Sequence, residues 1–354
     1  MALRAAVVGA GYWGPNLVRN FRASAAWELA AVCDLDEARA RKVVGDGTRI
    51  DVETSLDRLL YRDDVDAVAV ATPANTHLAI GQRVLRAGKH LLVEKPLASS
   101  RADAAVMVND ARDRGLVLMC DHTYCYTPVV QRISSIIQSG DLGEVLFVDS
   151  VRINLGLVQP DVDVLWDLAP HDLSILDAVL PGGLAPHSVA AHGADPIGAG
   201  RACVGYLTMP LEGGAIAHIH VNWLSPTKIR QMVIGGSRRT LVWDDLNPQQ
   251  RLSIYDRGVE LDRSAATTNL DDRRAAGISY RLGDMHAPSL PEGEALSSMV
   301  AEFAAAITEG RAPHTDGSSG LRVLSVLEAA SQSLAEAGRM VPVVSADDTE
   351  GVLV

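Results

Sequence analysis

The stretch that decides the fold lies near the start of the chain and reads RAAVVGAGYWGPNLVRNF, residues 4–21. An apolar run leads into the pattern G-x-G-x-x-G, and a helical pattern that opens with Pro15 follows at once. Glycines here let the backbone approach a pyrophosphate and the helix N-terminus supplies amide donors, so dinucleotide binding is favoured over a glycine-rich turn without ligand. The residues predicted to contact the dinucleotide are Gly9, Gly11, Tyr12, Trp13 and Gly14.

A carboxylate follows at the spacing that such a fold requires. Asp34 lies 20 residues after Gly14, at the end of the second predicted strand, where it can accept hydrogen bonds from the adenosine ribose hydroxyls. The alternative for Asp34 is the N-cap of the next helix, although Asp36 is also available for that role. Because a carboxylate repels a ribose 2′-phosphate, the sequence predicts NAD(H) rather than NADP(H).

Short β-branched runs alternate with helical patterns as far as residue 121, which predicts a Rossmann domain, a doubly wound parallel α/β sheet, over residues 1–121. The predicted strands are residues 4–8, 29–33, 67–71, 90–93 and 117–120. The predicted helices are residues 15–23, 36–44, 55–60, 76–87 and 101–114.

Beyond residue 121 strand-like runs follow one another without helices between them. Grouped strands predict an α+β domain, residues 122–317, with a large, mostly antiparallel sheet and helices on one face. Its predicted strands are residues 144–154, 202–209, 215–223, 229–234, 240–243 and 251–255. The other predicted segments are helices at 128–139, 164–180 and 292–309, a surface excursion at 256–291, and a closing helix at 318–337.

Composition limits the classes of protein that fit. The 354 residues suit two domains, and 32 basic against 44 acidic side chains give a net charge of −12 without a basic block. This argues against nucleic acid or an anionic membrane surface as a partner. The four cysteines do not make a disulfide framework, and neither a leader pattern nor an apolar run of about 18 residues occurs, so we expect a cytoplasmic protein.

Cys120, His122 and Cys125 are close enough in sequence to suggest zinc, but no second cluster of matching ligands accompanies them. The sequence therefore predicts no metal site. His122 and Tyr124 follow the strand at 117–120, and we expect them to face the cleft between the domains.

Arginine is the usual cation of this chain, and only four residues are lysines. Lys95 stands in Glu94-Lys95-Pro96 after the strand at 90–93, at the carboxyl edge where open α/β sheets bind ligands. A surface ion pair of Glu94 with Lys95 is the alternative, and strand position alone does not decide between the two.

Asp167 and His171 are four residues apart in a predicted helix, which places both side chains on one face. A carboxylate there can orient an imidazole, and histidine suits proton transfer from an alcohol near neutral pH. Solvated polar residues are the alternative, but apolar neighbours such as Trp166 favour burial. Pro170 is expected to distort this helix or to mark its first turn.

Together with the segment 71–77, these motifs resemble the Gfo/Idh/MocA family of glucose-fructose oxidoreductase, inositol dehydrogenase and related sugar enzymes. The resemblance covers nearly the whole chain, and Glu-Lys-Pro after a Rossmann strand with Asp-x-x-x-His downstream is a specific combination. Residues 150–154 and 165–172 are most similar to a branch assigned to nucleotide-sugar 3-dehydrogenases. The chain departs from many members in having Ala169-Pro170 where a glycine often lies between the two polar residues.

The resemblance implies a role for each matched residue. Lys95 would contact the reacting hydroxyl and the nicotinamide, His171 would be the general acid/base, and Asp167 would bind a sugar hydroxyl or orient His171. The further predicted cofactor contacts are Thr72, Pro73, Asn75, His77, Glu94 and His122. The further predicted substrate contacts are Tyr124, Arg152, Asn154 and Trp166, with a structural ion pair as the alternative for Arg152. In the family the second domain is an open-faced sheet that commonly forms homodimers or homotetramers, and the last helix often returns to the Rossmann domain.

The function that follows is an NAD(H)-dependent oxidoreductase that transfers hydride between nicotinamide and a secondary hydroxyl or ketone of a sugar, at C3 of a nucleotide-linked sugar in the branch it resembles. The alternatives among enzymes are a dehydrogenase of inositol or a free sugar, and a ketoreductase of deoxysugar or antibiotic biosynthesis. A catalytically silent NAD-binding sensor is the alternative of another class, and the presence of Lys95, Asp167 and His171 argues against it.

Overall fold

The computed structural model describes residues 2–262 and 277–345. Its first sheet has the strands β1 (Leu3–Val8), β2 (Trp27–Cys33), β3 (Asp51–Glu53), β4 (Ala67–Val70), β5 (His90–Glu94) and β6 (Leu118–Asp121). All neighbours are parallel, in the order β3-β2-β1-β4-β5-β6. The helices of this part are α1 (Gly14–Ala23), α2 (Glu37–Val44), α3 (Leu56–Leu60), α4 (His77–Arg86) and α5 (Arg101–Asp113), and they cover both faces. The predicted doubly wound sheet is confirmed.

The strand order reverses between β1 and β4, so a crevice opens at the carboxyl ends of these strands. Local sequence sets the starts of the bordering helices. Pro15 lies in the first turn of α1, where its missing N–H costs no hydrogen bond. The Asp36 carboxylate caps α2 by accepting from the Arg39 N–H at 3.1 Å.

The second sheet has nine strands within the described residues: β7 (Val145–Leu155), β8 (Ser188–Ala194), β9 (Val204–Pro210), β10 (Ile216–Asn222), β11 (Leu224–Gly236), β12 (Thr240–Asp244), β13 (Leu252–Asp262), β14 (Gly277–His286) and β15 (Val341–Pro342). Their order is β14-β13-β12-β11-β7-β10-β9-β8-β15, and β7 with β10 is the parallel pair among these antiparallel neighbours. The remaining helices are α6 (Pro128–Gln138), α7 (Val164–Val179), α8 (Ala295–Glu309) and α9 (Gly317–Ala335). The predicted α+β domain is confirmed.

The predicted surface excursion at 256–291 is wrong in part. Strand β13 continues to Asp262 and β14 returns from Gly277 to His286, while the stretch between them lies outside the described residues. This ribbon forms one edge of the sheet, and side chains such as Tyr280 and Leu282 are largely exposed. An edge ribbon needs little burial, so its strands lack the apolar run that the sequence analysis looked for.

The two faces of the second sheet differ. Helix α7 packs on one face, where residues such as Leu207 and Ile219 are fully buried. The other face leaves Phe147, Tyr206 and Ile216 partly exposed. Residues therefore alternate along each strand between a covered and an uncovered side.

The closing helices pack against the first sheet's helices. The indole N–H of Trp27 donates to the carbonyl of Val300 on α8 at 2.8 Å, and its ring stacks on Phe303. On α9, Glu328 accepts from the N–H of Arg101 at 2.6 Å. The domain boundary near residue 121 stays a prediction. Among the described residues, no helix has the length and apolarity needed to cross a membrane.

Candidate active site

The glycine loop takes a shape that two of its three glycines make possible. Gly9 has a φ of +98°, and a Cβ on it would lie 2.7 Å from the carbonyl oxygen of Ala71. A Cβ on Gly14 would lie 2.1 Å from the Gly9 carbonyl oxygen. By contrast, apart from Gly11 and its two chain neighbours, no atom of the described residues lies within 4 Å of where a Gly11 Cβ would stand. The loop therefore leaves open space for a ligand, flanked by the exposed side chain of Tyr12.

Asp34 holds this loop directly. One carboxylate oxygen accepts from the Ala10 N–H at 2.7 Å, and the other accepts from the Asp36 N–H at 2.9 Å. The guanidinium of Arg39 lies 3.6 Å from the second oxygen. The helix cap belongs to Asp36, so Asp34 remains at the crevice beside the loop.

Trp13 connects the glycine loop to β6. Its indole N–H donates to one carboxylate oxygen of Asp121 at 2.9 Å, and the Thr123 hydroxyl donates to the other oxygen. Asp121 ends β6 and is 2% exposed. Trp13 therefore has a positioning contact within the protein, beside any contact with a ligand.

The segment after β4 lies along the crevice and carries Thr72, Pro73 and Asn75 with exposed or partly exposed side chains. His77 differs, because its side chain is 1% exposed. Its ring nitrogens lie 2.8 Å from the carbonyl oxygen of Thr72 and 2.9 Å from that of Pro96. The imidazole of His77 therefore connects the main chain at Thr72 to the main chain at Pro96. The prediction that His77 contacts the cofactor directly is corrected.

Lys95 follows β5 and reaches α7. Its ammonium donates to the carbonyl oxygen of Asp167 at 3.0 Å and lies 3.5 Å from the carboxylate of the same residue. The other oxygen of that carboxylate accepts from the indole N–H of Trp223 at 3.0 Å. In the described part of the chain, Asp167 engages Lys95 and Trp223, and no hydrogen bond joins it to the imidazole of His171.

His171 lies on α7, and Pro170 stands inside this helix rather than in its first turn. The ring of Tyr124 packs edge-on against the imidazole, with the centroids 5.1 Å apart. Burial lowers the pKa of His171 well below its usual range, and the charges of Lys95 and Arg152 lower it further. The imidazole is therefore neutral near physiological pH and able to accept a proton.

Arg152 is buried in an ion pair. Its guanidinium bonds both carboxylate oxygens of Asp172 at 2.9 Å, and Ser150 donates to that carboxylate at 3.0 Å. It also lies 4.6 Å from the ring centroid of Tyr124. Arg152 is 4% exposed and packs against the ring of Tyr124. The structural ion pair, which was the alternative for Arg152, is the arrangement observed.

The other two predicted substrate contacts occupy different places. The indole of Trp166 lies against α9 and donates to Ser331 at 2.7 Å. Its side chain is partly exposed, and its contact with substrate stays a prediction. Asn154 is partly exposed near the end of β7, and its contact with substrate stays a prediction.

The sequence analysis missed four side chains beside the predicted ones, namely Asp172, Trp223, Arg230 and Trp243. Arg230 donates to the hydroxyl of Tyr124 at 2.9 Å and lies 3.6 Å from Asp245. The ring of Trp243 packs near the ring of Tyr124, with the centroids 6.4 Å apart. Arg230 and Trp243 sit on β11 and β12, which approach the site only through sheet pairing, so no local pattern marks them.

Two side chains near Lys95 carry buried polar atoms without a hydrogen-bond partner among the described residues: Oε2 of Glu94 and both ring nitrogens of His122. Burial lowers the pKa of His122 to about 4, so its ring is neutral. Unpaired buried polar atoms are rare in folded proteins. With the open space at Gly11, they fit a dinucleotide lying along the strand ends.

A glycine loop at the switch point of a parallel sheet, next to a lysine and a neutral histidine, defines an NAD-binding oxidoreductase. Family comparison gives the same class and a narrower one. An oxidoreductase family model with an NAD-binding Rossmann fold matches residues 3–122, and a GFO/IDH/MocA C-terminal domain model matches residues 130–242. The chain belongs to the Gfo/Idh/MocA oxidoreductase family.

Individual relatives extend over almost the whole chain. UDP-N-acetylglucosamine 3-dehydrogenase of Acidithiobacillus ferrooxidans is 29% identical over 326 residues, which cover 91% of this chain and 94% of the relative. A solved structure of that enzyme has a TM-score of 0.79 at 26% identity and covers 95% of this chain and 99% of its own. Inositol 2-dehydrogenase of Rhizobium meliloti is 26% identical over 349 residues, covering 95% of this chain and 98% of the relative.

Proposed function

We propose that the protein oxidises a secondary hydroxyl of a sugar, C3 of a nucleotide-linked sugar, with NAD, or reduces the corresponding ketone. The observation that carries this proposal is the meeting of Lys95 with the α7 helix that bears the neutral, partly buried His171. A base without charge and a cation held nearby are what removal of a proton from an alcohol requires.

In the oxidative direction a ring nitrogen of His171 accepts the hydroxyl proton, and the Lys95 ammonium stabilises the negative charge that develops on oxygen. Asp167 holds that ammonium in place. Tyr124, fixed by Arg152 and Arg230, supports the imidazole. Bound nicotinamide supplies the hydride acceptor or donor. In the reductive direction His171 returns the proton to the alkoxide.

The cofactor would be held by backbone amides of the glycine loop and by polar groups along the strand ends. The unpartnered atoms of Glu94 and His122 lie at the end nearest Lys95, and Asp34 lies at the other end, beside the glycine loop. The residues assigned to this site are Gly9, Gly11, Gly14, Asp34, Thr72, Glu94 and His122.

His171→Ala tests the chemistry. Turnover is expected to fall by about 10²- to 10⁴-fold while NADH binding, followed by fluorescence, changes little, because the imidazole serves proton transfer only. His187→Ala, which removes an exposed histidine before β8, is the matched control. Turnover in His171→Ala equal to that of the control would refute the role of His171.

Asp34 underlies the proposed preference for NAD over NADP. Its carboxylate occupies the loop side of the crevice, with Arg39 beside it. Asp34→Ser removes the repulsion and frees Arg39 for a 2′-phosphate, so the NAD/NADP ratio of kcat/KM is expected to fall by about tenfold or more. A wild-type enzyme that prefers NADP by more than tenfold would contradict the assignment.

The substrate class rests on the similarity to UDP-N-acetylglucosamine 3-dehydrogenase, and inositol is the second candidate because inositol 2-dehydrogenase matches over a comparable length. A panel of UDP-sugars, dTDP-sugars and inositols, followed at the nicotinamide absorbance, separates the two. Turnover with inositols and none with sugar nucleotides would favour the second candidate.

We also propose that the uncovered face of the second sheet joins copies of this chain into a dimer or tetramer. Phe147, Tyr206 and Ile216 are partly exposed there, and large exposed apolar patches mark interfaces. Light scattering of the wild type and of Ile216→Lys measures the assembly. A monomeric wild type would contradict the proposal.

A further inference from the structure

The ends of β5 and β6 bring two carboxyl groups side by side. Glu94 and Asp121 are paired residues of these neighbouring parallel strands, and Asp121 is 2% exposed while Oε2 of Glu94 is buried. Two adjacent buried carboxylates repel each other in a medium of low dielectric constant. The pair therefore retains at least one proton near neutral pH.

Hydrogen bonds indicate which carboxyl group carries that proton. Asp121 accepts from the Trp13 indole and from the Thr123 hydroxyl, and donors of this kind favour the ionised form. Glu94 keeps one oxygen without a partner among the described residues. The adjacent cation, Lys95, lowers the pKa of Glu94 by its charge and its main-chain N–H, but less than burial and Asp121 raise it, and its ammonium bonds to Asp167 of α7.

We propose that Glu94 is a neutral carboxylic acid at pH 7, with Asp121 ionised, and that its O–H donates a hydrogen bond to the nicotinamide half of the dinucleotide. The identity of this ligand rests on the proposed function, whereas the protonation of Glu94 needs no ligand. The result is a proton donor at the end of β5, distinct from the proton acceptor His171.

Electrostatics agrees with this assignment. Burial and then the charge of Asp121 raise the pKa of Glu94 well above its usual range. Burial also raises the pKa of Asp121, but its hydrogen bonds to Thr123 and Trp13 lower it, which leaves the proton on Glu94. The other titratable groups that act on the pair are Lys95, Cys120 and Cys125.

A neutral acid also suits the chemistry of this edge. A carboxylate beside the nicotinamide would stabilise its oxidised, positively charged form and so oppose hydride uptake. A carboxylic acid supplies a hydrogen bond without that bias. Glu94 thus acts on the cofactor by donation and not by charge.

The test uses the full chain at pH 7, free of dinucleotide and labelled with ¹³C at the glutamate side-chain carboxyl carbons. One carboxylic-acid signal in the infrared or ¹³C NMR spectrum, present in the wild type and lost in Glu94→Gln, is the expected result. A wild type without such a signal, or a signal that survives in Glu94→Gln, overturns the proposal. Aspartate-specific labelling of the wild type needs no variant, and an acid signal there, lost in Asp121→Asn, would also overturn it.

Ligand titration tests the donor role. Adding NADH is expected to shift the Glu94 carbonyl band, and Glu94→Leu is expected to bind NADH about tenfold more weakly than Glu94→Gln, which retains a neutral donor. An unshifted band with equal affinities overturns donation to the cofactor. Failure of the proposed function would appear in the turnover assays of His171→Ala and would leave the glutamate signal of the ligand-free protein unchanged.

Discussion

Helix α7 carries three aspartates that each meet a cation from another element, and two of these pairs, those of Asp172 and Asp167, differ in burial and geometry. The side chains of Asp172 and Arg152 are 2% and 5% exposed and join through two hydrogen bonds of 2.9 Å. Asp167 and Lys95 are 21% and 18% exposed, and their charged atoms are 3.5 Å apart. Arginine presents a planar fork that matches a carboxylate, whereas the lysine ammonium rotates among several acceptors.

The difference separates a pair that holds the fold from a pair that can exchange partners. The Arg152 pair fixes α7 to β7 and supports Tyr124 beneath His171. The Lys95 ammonium has a longer, partly solvated contact with its carboxylate, which a substrate oxygen can replace at little cost. Stability should therefore depend on the first pair and turnover on the second.

Asp172→Ala is the largest expected change. It leaves the Arg152 guanidinium buried without its carboxylate, so the free energy of unfolding should fall by about 3–5 kcal/mol, measured by chemical denaturation. The control is the double variant Arg152→Met with Asp172→Leu, which replaces both charges by apolar groups and should regain most of that loss. A single variant as stable as the wild type would show that the pair does not hold the fold.

Lys95→Met tests the second pair. Turnover should fall by about 10²- to 10³-fold, because a preorganised cation at the reacting oxygen is lost. The free energy of unfolding should change by less than about 1 kcal/mol, since a partly exposed pair contributes little. Lys228→Met removes an exposed lysine of β11 and serves as the control. A loss of stability as large as that of Asp172→Ala would place Lys95 among the structural pairs.

The smallest expected effect is on the titration of His171. Burial, then Lys95, lowers the pKa of this imidazole, so Lys95→Met should raise that pKa, and histidine NMR measures it. Because the unfolded imidazole binds a proton near pH 6.5 and the folded one only at lower pH, His171 reduces stability as pH falls below about 6.5. An unchanged titration in Lys95→Met would mean that the ammonium lies too far from the imidazole to act on it.

The sequence could predict several residues of these pairs but not which residue each of them pairs with. The glycine loop, Lys95 and His171 belong to short patterns whose spacing follows from a turn or one helical period. Asp172 follows His171 directly on α7, but its partner Arg152 lies on strand β7. The sequence separation of these two residues does not indicate that they meet. The direction of Trp166 depends on which helix packs beside α7, and this too is a long-range outcome.

The strands too divide into those that the local sequence predicts and those that form only through pairing with a neighbour. Apolar strands such as β1 and β4 are buried on both faces and show in the sequence as β-branched runs. Strand β3 has the sequence Asp-Val-Glu, and β8 is built from small residues, so neither shows such a run. Pairing with a neighbouring strand makes these segments extended, and single-sequence patterns do not contain that information.

The contact between Trp27 and α8 has a consequence for synthesis of the chain. The two residues joined by this hydrogen bond, Trp27 and Val300, are 273 positions apart. At about 5–20 residues per second the ribosome needs about 14–55 s to make the intervening chain. During that interval the apolar surface around Phe21 and Trp27 lacks the helix that covers it. We therefore expect the nascent chain to expose this apolar surface to chaperones until α8 emerges, and a chain truncated before α8 should aggregate.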